Sequence, residues 1–167
     1  MKALVAAATR HGATAEIASA IANRLTEHGV DAVVHDPEDV RDLTGFDAFV
    51  VGSAVYMGNW LEAATSLVDR VAQERGTRPV WLFSSGPLGD PPKPEGDPAG
   101  LSELVEATDA REHRVFSGKL DKAKLGLGER AVVKMVRAPA GDQRDWNDVA
   151  EWSAQIADAL QTADPVA

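Results

Sequence analysis

The chain has 167 residues, a formal net charge of −9, a hydrophobic fraction of 44% and no cysteine. This length predicts one domain that buries its own core, and the missing cysteine excludes disulfides, thiolate-held clusters, thiol nucleophiles and cysteine zinc sites. The acidic balance argues against nucleic acid as a partner, because that binding is driven by phosphate neutralisation; with no long apolar run or leader pattern, a cytoplasmic chain is expected.

The first predicted element is a buried strand over Ala3–Ala8, an apolar run too short for a typical helix. It breaks into Thr9-Arg10-His11-Gly12-Ala13-Thr14 and passes directly into a helical pattern. A strand that turns into a helix N-terminus presents unpaired backbone N–H groups, reinforced by the helix dipole, at one point. Thr9 and Thr14 add hydroxyls, Gly12 permits close backbone approach, and Arg10 offers a fork for phosphate. The competing reading makes Thr14 a plain N-cap and Gly12 a tight turn.

Ile17, Ala18, Ile21, Ala22 and Leu25 recur at helical spacing up to Gly29, and Val30–His35 reads as a second strand. Pro37 to Gly45 is polar and suits a helical turn. Phe46–Ser53 reads as a third strand, followed by a loop, Ala54-Val55-Tyr56-Met57-Gly58-Asn59-Trp60. Leu61, Ala64, Leu67, Val68 and Val71 mark a helix ending near Gly76, and Pro79–Ser84 a fourth strand entered through proline. Five prolines and four glycines then fall between Ser84 and Gly100, the composition of a binding loop or lid.

Leu101–Ala110 suggests a helix and Arg114–Ser117 a fifth strand. Lys119 to Gly128 is a basic, glycine-interrupted excursion, with a helix expected over Arg130–Arg137. Arg111 to Arg137 holds eight Lys/Arg against three acids, a positive segment on an acidic chain that suits either an anionic partner or a plain solvated face. The last helix runs from Asp145 to about Leu160, with Trp146 and Trp152 expected as core anchors. His28, His35 and His113 have no metal-ligand spacing, Trp60 reads mainly as core packing, and no acid/base pair or nucleophilic triad can be assembled.

Strands alternating with helices predict an α/β domain with a parallel sheet covered on both faces. Ligands in such sheets sit beyond the carboxyl ends of the strands. The loops after the first, third and fourth strands share that edge, where a flat ligand bearing a phosphate would fit them. A receiver domain, the competing fold of similar length, needs acidic residues ending the first and third strands; Ala8-Thr9 and Gly52-Ser53 stand there instead.

The opening Thr9–Thr14 loop is similar to the phosphate loop of flavodoxins. Val51-Gly52-Ser53-Ala54-Val55-Tyr56-Met57-Gly58 resembles the flavodoxin loop against the inner face of the isoalloxazine ring, and Ser84-Ser85-Gly86-Pro87-Leu88-Gly89 stands where the second flavin-contacting loop lies. The resemblance spans essentially the whole chain. It implies a three-layer sandwich with a five-stranded parallel sheet in the order 2-1-3-4-5, one domain over residues 1–167, and FMN as cofactor. The implied cofactor-binding residues are Thr9, Arg10, His11, Gly12, Ala13, Thr14, Ser53, Ala54, Val55, Tyr56, Met57, Gly58, Ser84, Ser85, Gly86, Pro87 and Leu88.

Within that superfamily the chain resembles the menaquinone-dependent protoporphyrinogen dehydrogenases. The Thr9-Arg10-His11-Gly12 arginine, the form of the Gly52–Gly58 loop, and the excursion over Gly118–Gly141 leading into Gly141-Asp142-Gln143-Arg144-Asp145-Trp146 carry the likeness. It implies two-electron oxidation of a small reduced substrate, such as a porphyrinogen, with a quinone or a protein redox partner as acceptor. A basic insertion at about 118–144 would meet substrate carboxylates or an anionic bilayer through Lys119, Lys122, Lys124, Lys134 and Arg137, a peripheral contact at the inner face of the cell membrane. Two departures stand out: no aromatic residue occurs in Ser84–Asp90, and His11 replaces a small hydroxyl residue. An electron carrier between proteins, and a flavin-free interaction module, remain alternatives.

Overall fold

The fold is seen in a computed structural model that describes residues 1–86, 96–136 and 140–162, with only the backbone described at Val132, Met135 and Val136. The sequence expectations for Pro87, Leu88 and Arg137 lie outside the described residues. In chain order the elements are β1 (Lys2–Ala8), α1 (Ala13–Glu27), β2 (Asp31–His35), β3 (Ala48–Tyr56), β4 (Asn59–Trp60), α2 (Glu62–Glu74), β5 (Val80–Ser85), α3 (Leu101–Thr108), β6 (Glu112–Phe116), β7 (Lys119–Leu120), α4 (Leu127–Val136), β8 (Gly141–Asp142) and α5 (Trp146–Thr162). Single 3-10 turns at Pro37–Asp39 and Lys122–Lys124 complete the described elements.

Five strands form a parallel sheet in the order β2-β1-β3-β5-β6. Leaving aside the two-residue β4, this is the expected 2-1-3-4-5 order. The central strands carry continuous apolar runs, Ala3–Ala8, Ala48–Val51 and Val80–Phe83, because both faces are covered. In β1, Ala3, Val5 and Ala7 face a core shared with Ile17, Ile21 and Leu25 of α1 and Trp152, Ile156 and Leu160 of α5. Leu4, Ala6 and Ala8 face the opposite core with Leu67, Val68 and Val71 of α2 and Leu101 of α3. The period-2 alternation of one strand thus divides the molecule into its two helical layers.

Phe83, Phe116 and Trp152 meet edge to face, with ring centroids 5.5 to 6.1 Å apart, and lock α5 against β5 and β6. The Trp152 indole N–H donates to Glu112 Oε2 at 3.0 Å. Trp152 is therefore the core anchor expected of it, but Trp146 is not: it is 42% exposed. Trp146 opens α5 one residue after Asp145, whose carboxylate accepts the N–H groups of Asn147 and Asp148, so the buried stripe begins only at Val149.

Two other expectations change. The third strand runs on to Tyr56 and turns back into β4, with Val55 opposite Trp60 and Tyr56 opposite Asn59. Met57 and Gly58 form the two-residue turn with φ of 48° and 78°, the positive values that a type I′ hairpin needs. A β-branched and an aromatic residue at the strand end extend pairing where glycine and mixed polarity suggested a loop. In the insertion, α4 begins at Leu127 rather than Arg130, despite Gly128, because Glu129 caps its first turn by accepting the Gly126 N–H at 2.9 Å.

Candidate functional site

The ends of β1, β3 and β5 lie together at the carboxyl edge of the sheet, and the insertion lies beside the loop after the first of them. In the first loop Thr9 Oγ1 accepts the Gly12 N–H at 2.9 Å, closing a short turn around Arg10 and His11. Gly12 has φ of 92°, and α1 starts without a side-chain cap. Among the described residues, the N–H groups of Ala13, Thr14 and Ala15 have no hydrogen-bond partner, and neither has the hydroxyl of the nearly buried Thr14. The plain N-cap role for Thr14 is thereby excluded. Three free N–H groups and a hydroxyl at one helix start constitute an anion cradle, and they fit a phosphate.

Arg10 rises from this loop to stack on the Tyr56 ring, its guanidinium carbon 3.8 Å from the centroid. The loop after β1 and the β3–β4 hairpin are joined by that contact. Beyond Tyr56, Met57 projects from the hairpin tip at 73% exposure. Gly58 fastens the hairpin to the far end of the next segment, its carbonyl accepting the Ala99 N–H at 2.8 Å. Ala54 and Val55 are half-buried on the final turns of β3.

Two of the expected cofactor residues have hydroxyls committed to the scaffold. Ser53 Oγ donates to the Ala54 carbonyl at 2.8 Å and accepts the Leu61 N–H at 2.9 Å, fixing the start of α2. Ser84 Oγ accepts the Trp60 indole N–H at 2.8 Å and lies 2.8 Å from His113 Nε2. Indole N–H only donates, so Ser84 Oγ is the acceptor toward Trp60, while the direction of its bond with His113 follows the imidazole tautomer. Burial holds the His113 pKa below its ordinary value, against opposing pulls from Asp97 and Glu112. His113 and Trp60 thus brace the β5 end from beneath; Trp60's burial accords with its core reading, but spacing in sequence gave no sign of His113's part.

Ser85 is buried at the end of β5, and Gly86 follows with φ of 147°. A Cβ on Gly86 would lie 3.3 Å from the Val55 carbonyl, and one on Gly118 only 2.9 Å from Gly86 Cα. The end of β5, the hairpin and the start of the insertion therefore pack backbone against backbone at Gly86 and Gly118, an approach that favours glycine.

The insertion returns to the first loop at three points. Glu129 forms an ion pair with Arg10 Nε, and the same oxygen lies 3.3 Å from His11 Nε2. Lys124 Nζ donates to the His11 carbonyl at 3.4 Å. Arg144, 2% exposed at its side chain, pairs with Asp142 and with Glu16 at 2.6 and 2.7 Å and donates to the Ala13 carbonyl at 3.2 Å. Its guanidinium also lies 4.5 Å from the Trp146 ring centroid. Lys119 and Lys124 line a small cleft with His11 and Ala13, while Lys122 and Lys134 stand exposed away from it. Glu129 and Arg144 were not singled out from sequence as site residues; the glycine-x-x-glutamate spacing of Gly126 and Glu129 was the available sign of a helix start.

The family model described as Flavodoxin domain matches residues 4–147. The chain belongs to the flavodoxin family. Flavin mononucleotide is accordingly its cofactor. The Escherichia coli (strain K12) protein named protoporphyrinogen IX dehydrogenase [quinone] is 24% identical over 172 residues, covering 94% of this chain and 95% of that protein. Among solved structures, a flavodoxin from the domain Archaea superposes with a TM-score of 0.66 at 19% identity, over 96% of this chain and 99% of that one. Oxidised flavodoxin 1 from Bacillus cereus gives 0.62 at 14% identity, over 95% and 98%. These flavodoxins share the fold. Among the described residues, no helix is long and apolar enough to cross a membrane.

Proposed function

We propose that the chain is an FMN-dependent oxidoreductase that takes electrons from a small reduced substrate of the porphyrinogen type and delivers them to a quinone. The observation that carries this reading is the end-to-end match with the E. coli dehydrogenase, which extends through the insertion and into α5.

When bound, the flavin supplies a ring system able to accept two electrons and release them to an acceptor. The protein's part is binding, orientation and charge. Ala13, Thr14 and Ala15 would receive the phosphate on backbone N–H groups, with Thr9 holding the turn and Arg10 adding positive charge. Ala54, Val55, Tyr56, Met57 and Gly58 would shape one side of the ring, and Ser85 and Gly86 its other edge. Ser53 and Ser84 would contribute through backbone, since their hydroxyls are engaged elsewhere. Lys119, Lys122, Lys124 and Lys134 give the insertion the cations to meet substrate carboxylates or the anionic inner face of the cell membrane.

A second reading, an electron carrier between proteins, is favoured by the net charge of −9, which suits docking to basic redox partners. Steady oxidation of a porphyrinogen with a quinone, using the FMN-loaded protein and no reductase, supports the enzyme. Electron flow only when a reductase is supplied supports the carrier. Reversing the charges of Lys119, Lys122, Lys124 and Lys134 together lowers turnover and vesicle binding if the insertion acts as proposed; unchanged values would remove that role.

A further inference from the structure

Glu129 does two things with one carboxylate. One oxygen accepts the Gly126 N–H at 2.9 Å and so caps α4; the other pairs with Arg10 Nε and stands 3.3 Å from His11 Nε2. The side chain is 12% exposed, enclosed between the insertion and the loop after β1. Arg10 is consequently held on two sides, by Glu129 at Nε and by the Tyr56 ring 3.8 Å from its guanidinium carbon. Its two terminal nitrogens make no hydrogen bond among the described residues. A guanidinium fixed in plane and position with its terminal pair open is preorganised for a phosphate or carboxylate, because the ordering of a long side chain is already complete.

We infer that Glu129 is a positioning residue for the flavin phosphate: it holds Arg10 by Nε so that the terminal nitrogens face the anion, and the same carboxylate fastens the insertion to the cofactor loop. The first turn of α4 and the hold on Arg10 are then set by the same carboxylate. The inference rests on the assignment of the loop after β1 to the flavin phosphate and is independent of the substrate. A carboxylate so near the cradle also permits the opposite role, a competitor that neutralises Arg10 and weakens phosphate binding; the two have opposite consequences.

The test uses full-length protein stripped of ligand, titrated with FMN and with riboflavin, which lacks the phosphate, and read by flavin fluorescence. Glu129→Gln keeps the shape but has one acceptor oxygen, so it cannot hold both Gly126 and Arg10. It raises the FMN Kd about fivefold or more and leaves the riboflavin Kd unchanged. Arg10→Lys keeps the charge but has no Nε–H, and it shows the same FMN-selective loss. The double variant is no weaker than Arg10→Lys alone, the signature of two residues acting through one contact. Unchanged or tighter FMN binding in Glu129→Gln, an equal loss for riboflavin, or additive losses would each overturn the inference. Should Glu129→Gln not fold, unchanged FMN binding in Arg10→Lys overturns it alone. Equal wild-type affinity for the two flavins removes the phosphate assignment itself, and the inference with it.

Discussion

The Arg10 guanidinium lies over the Tyr56 ring at 3.8 Å, so a residue of the loop after β1 covers the one aromatic side chain of the neighbouring hairpin turn. Two of the loops at the carboxyl edge of the sheet are coupled by that stack. Tyr56→Ala removes the ring and releases Arg10 together, and FMN binding weakens about tenfold, measured by fluorescence titration. Riboflavin weakens less, because only the ring contact is lost to it.

Gly52 sits in the middle of β3 directly beneath the Phe83 ring. A Cβ there would come within 2.2 Å of the ring, and Phe83 is locked by Phe116 and Trp152. Gly52→Ala therefore overpacks the core and destabilises the fold by about 1–3 kcal/mol in a urea titration. The thermal midpoint falls by roughly 2–4 °C for each kcal/mol lost.

The His113–Ser84–Trp60 chain makes stability depend on pH. Burial lowers the folded His113 pKa below that of the unfolded chain, so the unfolded state takes up the proton first as pH falls. Stability is full above the unfolded value of about 6.5 and declines as pH drops below it toward the folded value. His113→Asn abolishes this part of the decline, seen as a smaller difference between urea midpoints at pH 7.5 and pH 5.5. An unchanged difference contradicts the assignment.

Arg144 holds the Asp142 carboxyl down at about 2, chiefly through its side-chain hydrogen bonds. The folded pKa is depressed, so this contribution is complete above the unfolded aspartate value of about 3.9 and disappears as pH falls through about 2. Asp142→Asn removes it, and the gap between wild-type and variant stability closes over that acid window. Arg144→Lys weakens the same clamp at neutral pH, because an ammonium cannot make the paired contacts to Asp142 that the guanidinium makes. Faster hydrogen exchange at Gly141 and Asp142 reports it.

The parallel sheet was legible because both of its faces are buried: Ala3–Ala8 and Phe49–Val51 are apolar at every position, and local pattern and tertiary demand agree. The strand–turn–helix form of the loop after β1 was legible for a similar reason, since the strand end, Gly12 and the helix start lie within a few residues of one another. The β3–β4 hairpin was not, because Met57 at positive φ carries no turn signal and pairing with Asn59-Trp60 decides the matter. Trp146 and Trp152 look alike in sequence, yet only the second lies on the buried stripe of α5. The contacts of Glu129, Arg144 and His113 were not foreseen because the partners lie 119, 128 and 29 residues away, a separation that spacing rules do not span.

Mixing the FMN-loaded protein anaerobically with protoporphyrinogen IX, and then with a menaquinone-type quinone, tests the proposed dehydrogenase most directly. The account predicts that the oxidised-flavin absorbance bleaches on the first addition and returns on the second, with no other protein present. Flavin that stays oxidised with the porphyrinogen, yet is reduced once a flavodoxin reductase is added, would contradict it and leave an electron carrier in its place.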